Sequence, residues 1–143
     1  MTKAIYFDMD GTIANLYGVD NWLDYLTKYD STPYEVAKPM LNMSVLARIL
    51  NRLQREGYII GIISWLSKTS TPEYDEKVRQ AKTNWLKKHL KSIKFDSIQI
   101  VGYGTQKYTL GKGILFDDEI KNRDAWGENA YDVDNILGVL KTL

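Results

Sequence analysis

Short apolar runs, each stopped by polar residues, recur along this chain. The run from Lys3 to Phe7 ends abruptly in Asp8-Met-Asp-Gly-Thr12, the pattern of a buried strand delivering a polar loop. Tyr58-Ile-Ile-Gly-Ile-Ile63 ends in Ser64 in the same way, and Ser97-Ile-Gln-Ile-Val-Gly102 and Gly113-Ile-Leu-Phe116 read as two further strands. Between them the period changes to that of a helix. Met43 to Glu56 places Val45, Leu46, Ile49, Leu50 and Leu53 on one face, and Pro72 to Leu90 opens on proline and closes among lysines and His89. A last apolar segment, Ile136 to Leu143, reads as a closing helix.

Alternation of this kind predicts an α/β fold, a Rossmann-like doubly wound parallel sheet, whose ligands bind in the crevice at the strands' carboxyl ends. All four polar strand ends then converge on one rim. Residues 15–40 interrupt the alternation with Tyr17, Trp22, Tyr25, Tyr29 and Tyr34, broken by Pro33 and Pro39. This stretch is expected to form a small helical cap insertion, leaving 1–14 and 41–143 as the core domain.

At 143 residues the chain has room for one core and a small insertion. Hydrophobic residues at 44% and charged residues at 26% argue against wholesale disorder. The absence of cysteine excludes a disulfide and a thiolate metal site, and fits a reducing compartment. With 19 Lys plus Arg against 18 Asp plus Glu the net charge is +1, so no global field is set up for a polyanion and a nucleic-acid partner is not implied. The apolar stretch Ala4 to Phe7 is too short for a signal peptide or a membrane span, which predicts a soluble, cytoplasmic protein with no membrane partner. The oligomeric state is left open.

Chemistry concentrates at the strand ends. Asp8 and Asp10 stand two residues apart in a turn loosened by Gly11, and Asp117 and Asp118 end a different strand. Carboxylates gathered this closely repel, and an oxygen-only set without histidine or cysteine suits Mg²⁺. A carboxylate whose repulsion from phosphate is neutralised by a cation can attack phosphorus, the role that fits Asp8. A second carboxyl, Asp10, is placed to give and take the proton. Lys107, the Ser64 hydroxyl and backbone N–H groups after Met9 could offset charge on the phosphoryl oxygens.

In this order the residues match a family. Phe7-Asp-Met-Asp-Gly-Thr12, Ile63-Ser64, Lys107 and Phe116-Asp-Asp118 resemble the four motifs of the haloacid dehalogenase (HAD) superfamily across nearly the whole chain. Resemblance to the phosphatases of that family, which carry an Asp where Asp10 stands, implies hydrolysis of a phosphoester through an aspartyl-phosphate. On this reading Asp8, Asp10 and Lys107 are catalytic. Ser64, Trp65, Lys107, Gly11 and Thr12 hold the phosphate, and Asp8, Asp10, Asp118 and Asp117 hold Mg²⁺. The short insertion, the paired aspartates and a lysine ten positions before Asp117 also resemble the 5′(3′)-deoxyribonucleotidase group. Where that group carries Arg and Pro, this chain has Glu119 and Trp65. The residues alone leave open which of Asp117 and Asp118 meets the metal; the resemblance implies Asp118, with Asp117 orienting Lys107.

Simpler readings stand beside these. Asp117 and Asp118 also suit a helix start, and Ser64 an ordinary turn. Lys112 competes with Lys107, but its place beside Gly113 predicts the far end of the strand. The insertion's aromatics fit a miniature core of its own more readily than base stacking. His89 and the run Lys82, Lys87, Lys88, Lys91 and Lys94 read as solvated surface. The expected partner is a small-molecule phosphate ester, a (deoxy)nucleoside monophosphate among them. The alternatives are a phosphatase for a polynucleotide end or phosphoprotein, and a silent binding module.

Overall fold

The computed structural model describes residues 3–143; the first two residues of the expected core segment lie outside them. Five strands form one sheet: β1 (Ala4–Phe7), β4 (Ile59–Trp65), β5 (Ser97–Val101), β6 (Ile114–Phe116) and β7 (Ala130–Tyr131). Their order is β5-β4-β1-β6-β7, and every adjacent pair is parallel. The chain moves outward on one side of β1 and then returns to the other, so β1 is the switch point where a crevice must open at the carboxyl ends. A parallel strand flanked on both edges is covered on both faces, which is why Ala4, Ile5 and Phe7 and then Ile60, Ile62 and Ile63 are all buried. Gly61 of β4 lets the Tyr6 ring of the neighbouring strand lie close: a Cβ there would stand 2.8 Å from the ring.

Two long helices cover the sheet. Helix α3 (Met43–Arg55) is capped by Asn42, which accepts from the Val45 N–H at 3.1 Å, and buries Leu46, Leu50 and Leu53. Helix α4 (Pro72–His89) is capped by Thr71 and has acids in its first turn and Lys87, Lys88 and His89 in its last. The main core joins β1, β4 and β6 to α3, to the end of α4 and to α6 (Ile136–Lys141). Leu50 is fully buried there, so Leu50→Ala should cost about 2–5 kcal/mol, read as a lower denaturant midpoint with an unchanged slope. Unfolding free energy within about 0.5 kcal/mol of the parent would contradict this packing.

After β6 the chain forms α5 (Ile120–Trp126) and the two-residue β7, neither expected from the sequence. No residue of α5 is buried, so it leaves no periodic apolar stripe to read. The connection from β5 to β6 holds only a 3-10 turn at Lys107–Thr109, and it crosses from the carboxyl rim back to the start of β1. Gly113 abuts the Ala4 carbonyl there, which places Lys112 at the end of the sheet opposite Asp8.

The insertion is pinned by an antiparallel pair, β2 (Ala14–Asn15) with β3 (Lys38–Pro39), and carries α1 (Trp22–Thr27) and α2 (Thr32–Val36). Its apolar cluster is not self-contained. Leu16, Leu26 and Tyr34 pack with Leu66 and with Tyr74, Val78 and Ala81 of α4. The Trp85 indole donates to the Ala37 carbonyl at 2.7 Å and the Tyr74 hydroxyl to that of Asp30 at 3.0 Å, fastening the insertion to α4. Tyr25 and Tyr29 are exposed, so the aromatics divide between core, cavity wall and surface. Among the described residues no helix is long and apolar enough to cross a membrane.

Candidate active site

The carboxyl ends of β1, β4 and β6 meet under the insertion, where a cavity of about 390 Å³ opens. Asp8, Asp10, Lys107, Asp117 and Asp118 form its floor. Leu16, Tyr17, Trp22, Leu26 and Tyr34 come from the insertion, and Trp65 and Tyr103 close the remaining side.

Each floor residue is held by local geometry. The Asp8 N–H donates to the Phe116 carbonyl at 2.9 Å, continuing the β1–β6 ladder one residue past the strand and aiming the acid at the rim. Gly11 adopts φ +78°, and a Cβ there would collide with the Asp118 carboxylate, so the turn needs glycine to bring the two acidic segments together. Thr12 is fully buried between them. Its hydroxyl lies 3.1 Å from Asp8 Oδ2 and 3.2 Å from Asp118 Oδ1, and accepts from the Asp118 N–H at 3.1 Å.

Lys107 is buried, with Nζ 2.9 Å from Asp8 Oδ1 and 2.8 Å from Asp117 Oδ2. Burial opposes its charge, but Asp8 and Asp117 outweigh that cost and raise its pKa above the ordinary value. Asp117 also accepts from the Glu119 N–H at 2.9 Å and from Asn122 Nδ2 at 3.1 Å. Its oxygens are thus committed to protein donors, while Asp118, with Thr12 as its side-chain donor, is the freer of the pair to meet a ligand.

One oxygen from each of Asp8, Asp117 and Asp118 lies within 4.8 Å of the other two. Burial first, and then the charge of Asp8, push Asp117 up to about 6 and Asp118 up to about 7. Tyr17 of the insertion stands over this group, and its phenol is pushed up by burial and by Asp10, Asp118 and Asp8. Counting Asp10, four carboxylates face two ammonium groups, Lys107 and Lys82, so full ionisation of the acids would leave two negative charges uncompensated. The oxygen-only donors and that residual charge fit a hard divalent cation such as Mg²⁺.

Several side chains stand elsewhere than the motifs suggested. Asp10, expected among the metal ligands, is outside the three-acid group: its Oδ2 is 2.8 Å from Lys82 Nζ. Burial raises the Asp10 pKa even so, with Lys82 opposing. Ser64, expected on the phosphate, is fully buried off the cavity wall, because β4 runs on through Trp65 and turns the hydroxyl toward Lys82 at 2.7 Å. Trp65 does line the cavity, but its indole N–H is taken by the Thr105 carbonyl at 2.8 Å. Lys82 itself, read as solvated surface, is 1% exposed. The signal that could have found it was its spacing: four residues after Val78 and three before Trp85, it sits on the buried stripe of α4.

Comparison by sequence brings no match, either to a protein-family model or to a curated protein. Comparison by structure does. The fold is similar to the crystal structure of D,D-heptose 1,7-bisphosphate phosphatase from Burkholderia thailandensis, with a TM-score of 0.59 over 99% of this chain and 97% of that one, at 13% identity. The likeness spans both chains almost end to end and shows that this chain shares that protein's α/β fold, a parallel sheet flanked by helices.

Proposed function

We propose that this chain is a Mg²⁺-dependent phosphomonoesterase that works through an aspartyl-phosphate on Asp8, acting on a small phosphorylated metabolite such as a (deoxy)nucleoside monophosphate. The observation that carries this reading is the arrangement of Asp8. It is a buried carboxylate at the switch point of the sheet, gripped by Lys107, grouped with Asp117 and Asp118, and one turn from a separate carboxyl on Asp10. The fold shared with a solved phosphatase is in keeping with it.

Asp8 and Asp118 would hold the cation, with Asp117 behind them orienting Lys107. When bound, the cation neutralises charge between the phosphate and the acids. Asp8 attacks phosphorus, the bond to the leaving oxygen breaks, and that oxygen takes a proton from the Asp10 carboxyl. Water then attacks the aspartyl-phosphate and returns a proton to Asp10, releasing phosphate and restoring Asp8. The raised pKa of Asp10 suits a group that must be protonated in one half-reaction and ionised in the next. The aromatic walls made by Tyr17, Trp22, Tyr34, Trp65 and Tyr103 would suit a planar leaving group, and a cavity of about 390 Å³ is of small-ligand size.

A screen of phosphorylated metabolites with Mg²⁺ tests the reading, with mononucleotides, oligonucleotides and phosphopeptides run side by side. Asp10→Asn should slow turnover about a hundredfold or more, by removing the proton donor and acceptor. No phosphate release from any ester by the parent protein would leave a binding module as the better account.

A further inference from the structure

Lys82 lies at the middle of α4, 1% exposed, with Val78, Ala81, Trp85 and Leu86 of the same buried face around it. Burying an ammonium is costly unless all its donors are satisfied. Here they are: Nζ lies 2.8 Å from Asp10 Oδ2, 2.7 Å from Ser64 Oγ and 2.7 Å from the Trp65 carbonyl, and 5.1 Å above the Tyr34 ring. An ammonium has three N–H groups, so none is left for a ligand. Two of the three acceptors belong to β4, a central strand, and cannot move independently of the sheet. The third is the side chain of Asp10, whose other oxygen receives no hydrogen bond from the described residues and which lines the cavity.

We propose that Lys82 is a positioning residue: anchored to β4 through Ser64 and the Trp65 carbonyl, it holds one oxygen of Asp10 so that the other is presented to the leaving group. The inference rests on the phosphatase reading and adds to it a residue that touches neither substrate nor cation. Ser64 thereby acts as a fixed point for the ammonium.

The test uses two esters. An alkyl phosphate needs its leaving oxygen protonated as it departs; dinitrophenyl phosphate does not. Values of kcat/KM are measured for the parent, Lys82→Met, Asp10→Asn and the double variant in Mg²⁺. Lys82→Met should lose roughly tenfold to a hundredfold on the alkyl ester, the scale of a misplaced catalytic group, and less than about threefold on the aryl ester. The double variant should be no slower than Asp10→Asn alone, since Lys82 acts through Asp10. Equal losses on both esters, or losses that multiply in the double variant, would assign Lys82 a general stabilising role and overturn the proposal. Should Lys82→Met fail to fold, Ser64→Ala loosens the same ammonium while keeping its charge. It must show the same ester-selective loss at smaller size, and an unselective loss there overturns the proposal equally. Failure of the parent to hydrolyse either ester would sink the phosphatase reading first, a result distinct from any difference among variants.

Discussion

Asp8→Asn should abolish hydrolysis while leaving a folded protein that is more stable than its parent when no divalent cation is present. An amide is no nucleophile toward phosphorus, and removing the attacking group of a covalent mechanism costs at least about 10⁴-fold in turnover. The fold has reason to tolerate the change. The Asn carbonyl can still accept from Lys107, which lies 2.9 Å from Asp8 Oδ1, and the buried Thr12 hydroxyl can accept from the amide where it now faces Asp8 Oδ2. Asp8 is also the charge that, after burial, does most to raise both Asp117 and Asp118, so neutralising it relieves repulsion at the floor of the cavity. Phosphate release and a thermal melt in EDTA read the two halves of the expectation. Turnover within tenfold of the parent would remove Asp8 from its role, and a large fall in melting temperature would mean that its charge is structural.

Chelation should be as damaging to activity, and its effect on stability should depend on pH. Asp117 and Asp118 rise from an ordinary 3.8 to about 6 and about 7 in the folded chain. A carboxyl that holds its proton more tightly when folded favours folding while protonated. That contribution is full below about pH 4 and is lost as pH climbs toward 7. In EDTA the melting temperature should therefore fall across that window. In the proposed site a divalent cation would need Asp118 ionised and would compete with its proton, so added Mg²⁺ should raise the melting temperature more at pH 8 than at pH 5. An equal shift at both values, or none, would mean that Asp8 and Asp118 do not hold the ion. Hydrolysis that survives exhaustive EDTA would contradict the cation's part in the reaction.

The acids were legible because they interrupt something regular. A strand with both faces covered must be apolar throughout, so Asp8 after Phe7 and Asp117 after Phe116 announce the rim where that covering stops. Parallel strands place their carboxyl ends together, so finding the strands was enough to bring 8 and 117 to one place. The elements that escaped lack such regularity. Helix α5 buries no residue and β7 is two residues long, so neither carries a period.

The roles of individual polar side chains were less legible than their neighbourhood. Lys82 stands 72 residues from Asp10 and 18 from Ser64, so while its spacing along α4 marks it as buried, only the packing of α4 against β4 supplies its partners. The same contact takes Ser64 from the cavity wall and Asp10 from the acid group. Commitment of Asp117 to Lys107, Glu119 and Asn122 likewise divides two adjacent aspartates that look equivalent along the chain. Sequence by itself determined the α/β alternation, the rim and the acids gathered there, because burial and strand direction follow from local patterns of apolar residues. Tertiary structure alone decided which oxygen is tied and which is free, because a hydrogen bond depends on distances of a few tenths of an ångström between segments that no local pattern relates.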